Sequence, residues 1–221
     1  MWYKGFMAKY PIFLELSGRR VVLIGGGAVA ARKAQVLLAA GARLVVVAER
    51  IDEMLTVLCR DKTAELIKSK YAKNYLAEAV LVVAATNNNQ LNKQIYKDCQ
   101  ELEVLCNVVD VPELCDFFVP AVVKRGNLQI AISTDGYCPA YAGHLRKKLE
   151  SVFTEKHGEF LAELEAMRKQ IIREVSDPAD RKSLLGRLVE EKSFEYFVEN
   201  GSAKWRTFAD EVISSLPLTR D

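Results

Sequence analysis

The apolar run Arg19-Arg20-Val21-Val22-Leu23-Ile24 passes directly into Gly25-Gly26-Gly27-Ala28-Val29-Ala30-Ala31-Arg32-Lys33, and no other stretch constrains the fold as strongly. A strand that ends in a glycine turn and opens a small-residue helix reads as G-x-G-x-x-A, with Ala30 in the third small position. Gly25 lets the chain turn sharply out of the strand. Gly27, lacking a Cβ, lets a pyrophosphate approach the backbone, and Ala30 lets the helix pack close to the sheet. The helix expected from 28 to 40 begins at Ala28 and Val29 and would aim its free N–H groups at the phosphates. A second apolar strand, Arg43–Ala48, follows within roughly 30 residues, as a dinucleotide-binding unit requires. A tight strand-to-helix turn with no ligand is the alternative.

Strand and helix continue to alternate. Residues 64–69 form a short strand candidate, and 79–85 are a continuous apolar run, as expected of a central parallel strand buried on both faces. Thr86-Asn87-Asn88-Asn89 offers N-caps for a helix over 90–102, and the strand 104–109 ends at Asp110-Val111-Pro112. This order predicts an α/β fold with a Rossmann-like, doubly wound parallel sheet. Ligands of such sheets bind beyond the carboxyl ends of the strands, which here carry Gly25, Glu49-Arg50, Ala85-Thr86, Asn107 and Asp110. Glu49 lies 22 residues after Gly27, where an acidic residue would accept the ribose hydroxyls of NAD. Arg50 would instead meet the 2′-phosphate of NADP, so the pattern leans towards NAD. The plainer readings are a solvated loop carboxylate for Glu49 and a turn former for Asp110.

The second half changes character. Residues 117–124 and 128–133 read as a hairpin, 134–138 as a turn, and Pro139 as the first position of a helix ending near Phe153. Beyond Glu155 only helices are expected, with Leu161, Leu164, Met167, Ile171 and Val175 at helical spacing and a break at Asp177-Pro178. The expected organisation is a dinucleotide-binding domain over 1–112, a small α+β dimerisation and substrate region over 113–153, and a C-terminal helical domain over 154–221. Open hairpin edges are normally paired, which predicts a homodimer built around 113–153. The 221 residues are half apolar and carry a formal net charge of +2, which argues against a general affinity for nucleic acid. No apolar run approaches the ~20 residues that cross a bilayer, so no membrane span is expected. Residues 1–7 lack the pattern of a signal peptide. Five cysteines without a C-x-x-C pair fit reduced thiols in a cytoplasmic protein, each a small buried residue with Cys138 as the open case. His144 and His157 sit in no metal-ligand pattern.

Five segments in order and spacing carry a resemblance: Tyr10-Pro11-Ile12-Phe13-Leu14, the run 22–33, Ala84-Ala85-Thr86-Asn87, Cys106-Asn107-Val108-Val109-Asp110 and Phe118-Val119-Pro120-Ala121. They resemble the precorrin-2 dehydrogenase/sirohydrochlorin ferrochelatase family, also found as the front module of sirohaem synthase. The similarity continues through Ile132-Ser133-Thr134-Asp135-Gly136 and Leu145-Arg146-Lys147-Lys148-Leu149-Glu150. It implies oxidation of a reduced, polycarboxylated tetrapyrrole with NAD as hydride acceptor, precorrin-2 becoming sirohydrochlorin. Asp110 then matches the proton acceptor, and in members that also insert Fe2+ as a substrate the same carboxylate assists removal of the pyrrole protons. No fixed metal site is implied. Thr134 stands where the family usually has Ser, in a turn facing the substrate. Lys124, Arg125, Arg146, Lys147 and Lys148 are the cations available for substrate carboxylates. The stretch Ala48-Glu49-Arg50 departs from the family's usual Ala-Pro. The resemblance also implies a homodimer, with the active site where the dinucleotide domain meets the dimer region. A dinucleotide-sensing module without turnover and a different small-substrate dehydrogenase are the alternative classes.

Overall fold

Short, nearly all-apolar strands must be covered on both faces, and the first half of the chain solves this by stacking them in parallel between helices. The computed structural model describes residues 9–61 and 64–215; the reading of residues 1–7 lies outside the described residues. Its strands β1 (Arg20–Ile24), β2 (Arg43–Ala48), β3 (Glu65–Lys68), β4 (Leu81–Ala84) and β5 (Leu105–Val108) form one sheet in the order β3-β2-β1-β4-β5. Every pairing is parallel. Side chains alternate between the faces. Val21, Leu23, Leu44 and Val46 pack under α1 (Ala28–Ala39) and α2 (Glu53–Asp61), whose Ala30, Ala31, Ala34 and Leu55 are buried against them. Val22, Ile24, Val45 and Val47 face the other way, onto Ile95 and Cys99 of α3 (Asn89–Glu101). Three alanines on one face of α1 let that helix sit close to the sheet.

The free edge of β5 is closed by the chain itself. After β5 the backbone turns at Val109 and Asp110, makes a short 3-10 turn over Pro112–Leu114, and runs back antiparallel. Asp116 N–H donates to the Cys106 carbonyl at 2.8 Å, and Cys106 N–H donates to Asp116 Oδ2 at 2.8 Å. The Asn107 amide donates to the Phe117 carbonyl at 2.9 Å. An exposed edge is thereby covered. This return run corrects two expected boundaries. The last parallel strand stops at Val108 rather than Val109, and the hairpin's first strand begins at Ala121, because Phe117 is tied to Asn107. Helix α2 and a 3-10 turn over Lys73–Leu76 have no counterpart in the sequence-based reading.

The chain divides into two compact units between Val119 and Pro120. In the second, β6 (Ala121–Arg125) pairs antiparallel with β7 (Leu128–Ile132), followed by α4 (Pro139–Val152), α5 (Glu155–Glu174), α6 (Pro178–Leu188) and α7 (Glu191–Ser214), the last kinked at Gly201. Pro139 does open α4, and Asp177 caps α6 by accepting the N–H groups of Ala179 and Asp180. The buried stripe of α5 starts at Phe160 rather than Leu161 and continues through Met167 and Ile171. These side chains surround Trp205, which is fully buried and donates its indole N–H to Ser193 Oγ at 2.9 Å. The rings of Phe160 and Phe197 meet it edge-on at 5.2 and 6.2 Å. Trp205→Ala is expected to lower stability by ~3–5 kcal/mol, because both the transferred area and the cavity count against it. Urea unfolding should show a lower midpoint at an unchanged slope.

Candidate functional site

The end of β1 is held in place from both sides by backbone. Gly25 has φ +128°, and a Cβ there would stand 2.2 Å from the Ala85 carbonyl oxygen at the end of β4. On Gly26 a Cβ would stand 2.0 Å from the Arg50 carbonyl oxygen beyond β2. The sheet's hydrogen bonding continues through this contact: Gly25 N–H donates to Val47 at 3.0 Å, Ala85 N–H to Ile24 at 2.8 Å, and Asp52 N–H to Gly26 at 2.8 Å. Gly25 therefore does what its place in the motif predicts. Gly26, which the pattern leaves as any residue, is as tightly constrained.

Gly27 is different. Its backbone is extended (φ −92°, ψ −172°), a conformation open to any residue, and a Cβ on it would meet nothing within 4 Å. What glycine provides here is open space, not a special backbone conformation. That space lies over the N-terminus of α1, where Gly27 is the N-cap and supplies no side-chain acceptor for the first amides. Together these features fit a pyrophosphate, with the amides of Ala28 and Val29 as its donors.

The space belongs to a cleft of about 360 Å³ over the carboxyl ends of the strands. Gly25, Gly27, Ala28, Val29, Glu49, Arg50, Ala85 and Thr86 all line it, so eight residues named from sequence converge on one site. Thr86 is fixed there by the buried Asn92, which accepts its hydroxyl at 2.6 Å and donates to its carbonyl at 3.1 Å. Asn88 caps α3 just beyond, accepting from Gln90 and Leu91. The cleft also includes Ser69, Tyr71 and Leu91, which sequence reasoning missed. The available signal was an aromatic residue just past a strand's carboxyl end. The Tyr71 hydroxyl donates to the buried Asp98 at 2.8 Å. Burial and then this hydrogen bond hold the phenol far above its usual range, so it stays a donor.

Asn107 and Asp110 are not among the cleft's lining residues. Asn107 is buried, and its amide anchors the return run through Phe117. Asp110 is exposed in the turn after β5 with φ +63°. Asp tolerates this left-handed region better than most residues. The second unit holds the residues named for substrate, Thr134, Lys124, Arg125 and Arg146 among them. Arg125 is committed to structure: Nε donates to the Phe153 carbonyl at 2.8 Å, Nη2 to Glu150 at 3.0 Å and Nη1 to Lys124 at 2.9 Å, with Glu155 3.3 Å away. It closes the end of α4, so a substrate carboxylate would have to compete with these bonds for it. Arg146 pairs with Glu150 one turn along α4, Thr134 Oγ1 accepts from Cys138 N–H at 3.3 Å, and Lys124 is exposed on β6. His157 accepts from Thr154 N–H as part of a capping box, and His144 stacks on Tyr141. Among the described residues no three His, Cys, Asp or Glu side chains gather as a metal-binding group.

The three glycines should separate by experiment. Gly26→Ala should cost about 1–3 kcal/mol through overpacking and lower Tm by several degrees. Gly27→Val should leave Tm within a degree or two of wild type but abolish NAD+ binding by isothermal titration. Parallel titrations with NADP+ divide the ribose contact between Glu49 and Arg50.

Comparisons with known proteins agree with this geometry. Residues 12–121 match a family model described as "Putative NAD(P)-binding", and residues 125–151 match one described as "Sirohaem biosynthesis protein central". The chain is 40% identical over 152 residues to a sirohaem synthase of Psychrobacter cryohalolentis, covering 69% of this chain and 29% of that protein. It is 31% identical over 212 residues to a sirohaem synthase of Citrobacter koseri, covering 96% and 46%. The chain thus spans less than half the length of these relatives. A solved structure named SirC, precorrin-2 dehydrogenase, superposes with a TM-score of 0.77 at 24% identity, covering 93% of this chain and all of that one, and so shares the fold. A dinucleotide-binding segment and a sirohaem-biosynthesis segment are thus matched in succession, and across them the chain is similar to the sirohaem synthases.

Proposed function

We propose that this protein oxidises precorrin-2 to sirohydrochlorin with NAD+, and that Asp110 is its proton acceptor. The observation that carries the reading is the order of groups across the sheet. The dinucleotide cradle stands at the end of β1, Glu49 at the end of β2 on one side, and Asp110 beyond β5 on the other. A dinucleotide whose adenosine ribose meets Glu49 runs its nicotinamide towards β4 and β5. Bound NAD+ supplies the hydride acceptor. The residues of the chain do the remainder: the α1 amides hold the pyrophosphate, Glu49 orients the ribose, and Thr86, locked by Asn92, shapes the floor. Two hydrogens leave the macrocycle, one as hydride and one as a proton, and the Asp110 carboxylate takes the proton. The same carboxylate would assist loss of pyrrole protons when Fe2+ enters as a substrate. Thr134, Lys124 and Arg146 are the polar groups of the second unit assigned to the tetrapyrrole's carboxylates. Five free thiols, Cys59, Cys99 and Cys106 buried among them, support a reducing cytoplasmic setting.

Asp110→Asn tests the chemistry cleanly, because Asn also tolerates positive φ and should not disturb the turn. Followed by absorbance with precorrin-2 and NAD+, turnover should fall by about 10²- to 10⁴-fold with NAD+ affinity unchanged. Oxidation at near wild-type rate would remove Asp110 from the mechanism. Retained oxidation with lost iron insertion would assign it to chelation instead.

The assembly proposed is a homodimer through residues 113–153. One face of the β6–β7 hairpin carries Ala121, Val123, Ile130 and Ile132, and Val123 is fully buried. Its opposite face leaves Val122 37% exposed beside Ala131, and the sheet has only two strands. A two-stranded sheet is marginal alone, so a second copy is the natural cover. Sedimentation velocity at micromolar concentration should show a dimer; a fully active monomer would overturn the proposal.

A further inference from the structure

Tyr71 follows β3, the outermost strand on the Glu49 side of the cradle, and it lines the same cleft as the glycine loop. Part of its ring packs on the sheet core beneath α3, beside Ile95 and Cys99, and the residue is half-buried. The hydroxyl is held by Asp98, a carboxylate only 5% exposed. Both oxygens of Asp98 are engaged: Oδ2 accepts from Tyr71 at 2.8 Å and Oδ1 from the Gln94 side-chain amide at 2.9 Å. Burying a carboxylate is costly, and here its bonds fix one aromatic ring at the rim of a ligand cleft. Leu91, on the first turn of α3, adds an apolar wall to the same cleft. Glu49 marks the ribose, so what lies beyond it on the β3 side is the base of the same nucleoside. An aromatic face held rigid at that point suits a purine, which stacks without paying to order the ring.

We propose that Tyr71 is the stacking platform for the adenine of the dinucleotide, and that Asp98 with Gln94 positions it. The inference rests on the dinucleotide reading of the cleft. Three probes on the purified full chain separate the two claims by isothermal titration: NAD+, ADP-ribose and inorganic pyrophosphate. Tyr71→Ala should weaken NAD+ and ADP-ribose about tenfold or more, the scale of one lost base–aromatic stack, and leave pyrophosphate affinity unchanged. Tyr71→Phe keeps the ring but loses the Asp98 anchor, and should bind ADP-ribose a few-fold more weakly than wild type yet clearly more tightly than Tyr71→Ala. Wild-type affinity in the Phe variant would remove Asp98 as the positioning group, and a loss equal to that of Ala would confine the role of Tyr71 to the hydrogen bond. Should the Ala variant fail to fold, Tyr71→Leu fills the core without offering an aromatic face, and it carries the same expectation. Unchanged ADP-ribose affinity in either variant, or equal losses for ADP-ribose and pyrophosphate, would overturn the platform while leaving the cleft intact. Wild-type protein that binds neither NAD+ nor ADP-ribose would instead remove the dinucleotide reading, and the platform with it.

Discussion

The close approach of three backbone segments at the end of β1 is the constraint on which the site depends. Gly25 brings β1 within van der Waals contact of the β4 terminus, and Gly26 does the same with the loop after β2. A side chain at either position would push the strand ends apart, and the cleft is the space those ends enclose. The positions of Glu49, Arg50, Ala85 and Thr86 follow from this wedge. Hydrogen bonds from Gly25, Ala85 and Asp52 then fix the register across the junction, so the α1 amides face a defined volume rather than a mobile loop. Preorganisation of this kind lowers the ordering cost of binding a flexible dinucleotide.

Much of this fold was legible because its strands are buried on both faces. Such strands read as plain apolar runs, and Val21–Ile24, Arg43–Ala48 and Leu81–Ala84 stand out without any alignment. Helix α2 escaped notice because it is short: its apolar face, Leu55, Leu58 and Cys59, spans little more than one turn. The cradle residues could be named because the motif has a local physical reason at each position. What could not be read was whatever depends on one segment meeting another. The constraint on Gly26 comes from Arg50, the role of Asn107 from Phe117, the commitment of Arg125 from Glu150 and Phe153, and the anchoring of Tyr71 from Asp98.

Arg125 illustrates why counting cations is a weak guide to an anionic ligand. Its guanidinium has five donors, and its three nitrogens are spent on backbone carbonyls, two at the end of α4 and one at Lys124 of its own strand, with Glu155 beside it. A group so satisfied gains little from a carboxylate that would have to displace those bonds. Lys124, on the opposite face of the same strand, keeps its ammonium in solvent. Two adjacent basic residues, equivalent by charge, are thus divided by strand alternation into a structural group and an available one.

The return run after β5 links sheet protection to the placing of the proposed proton acceptor. A parallel sheet whose last strand is left open would expose a row of unpaired amides beside the ligand cleft. Here residues 115–117 cover that row, and Asp116 fills one pairing with its side chain in place of a backbone carbonyl. To reverse within so few residues the chain must take a left-handed step, and it does so at Asp110. Asp and Asn bear that conformation at lower cost than other side-chain-bearing residues, so the turn itself favours a short polar residue there. The device that seals the sheet therefore also sets an exposed carboxylate at the carboxyl end of β5. Its backbone is held by the Cys106–Asp116 and Asn107–Phe117 bonds on either side of the turn, which fixes the base of the side chain proposed above as proton acceptor. On this account Asp110 needs no elaborate surroundings of its own; its position is inherited from the way β5 is capped.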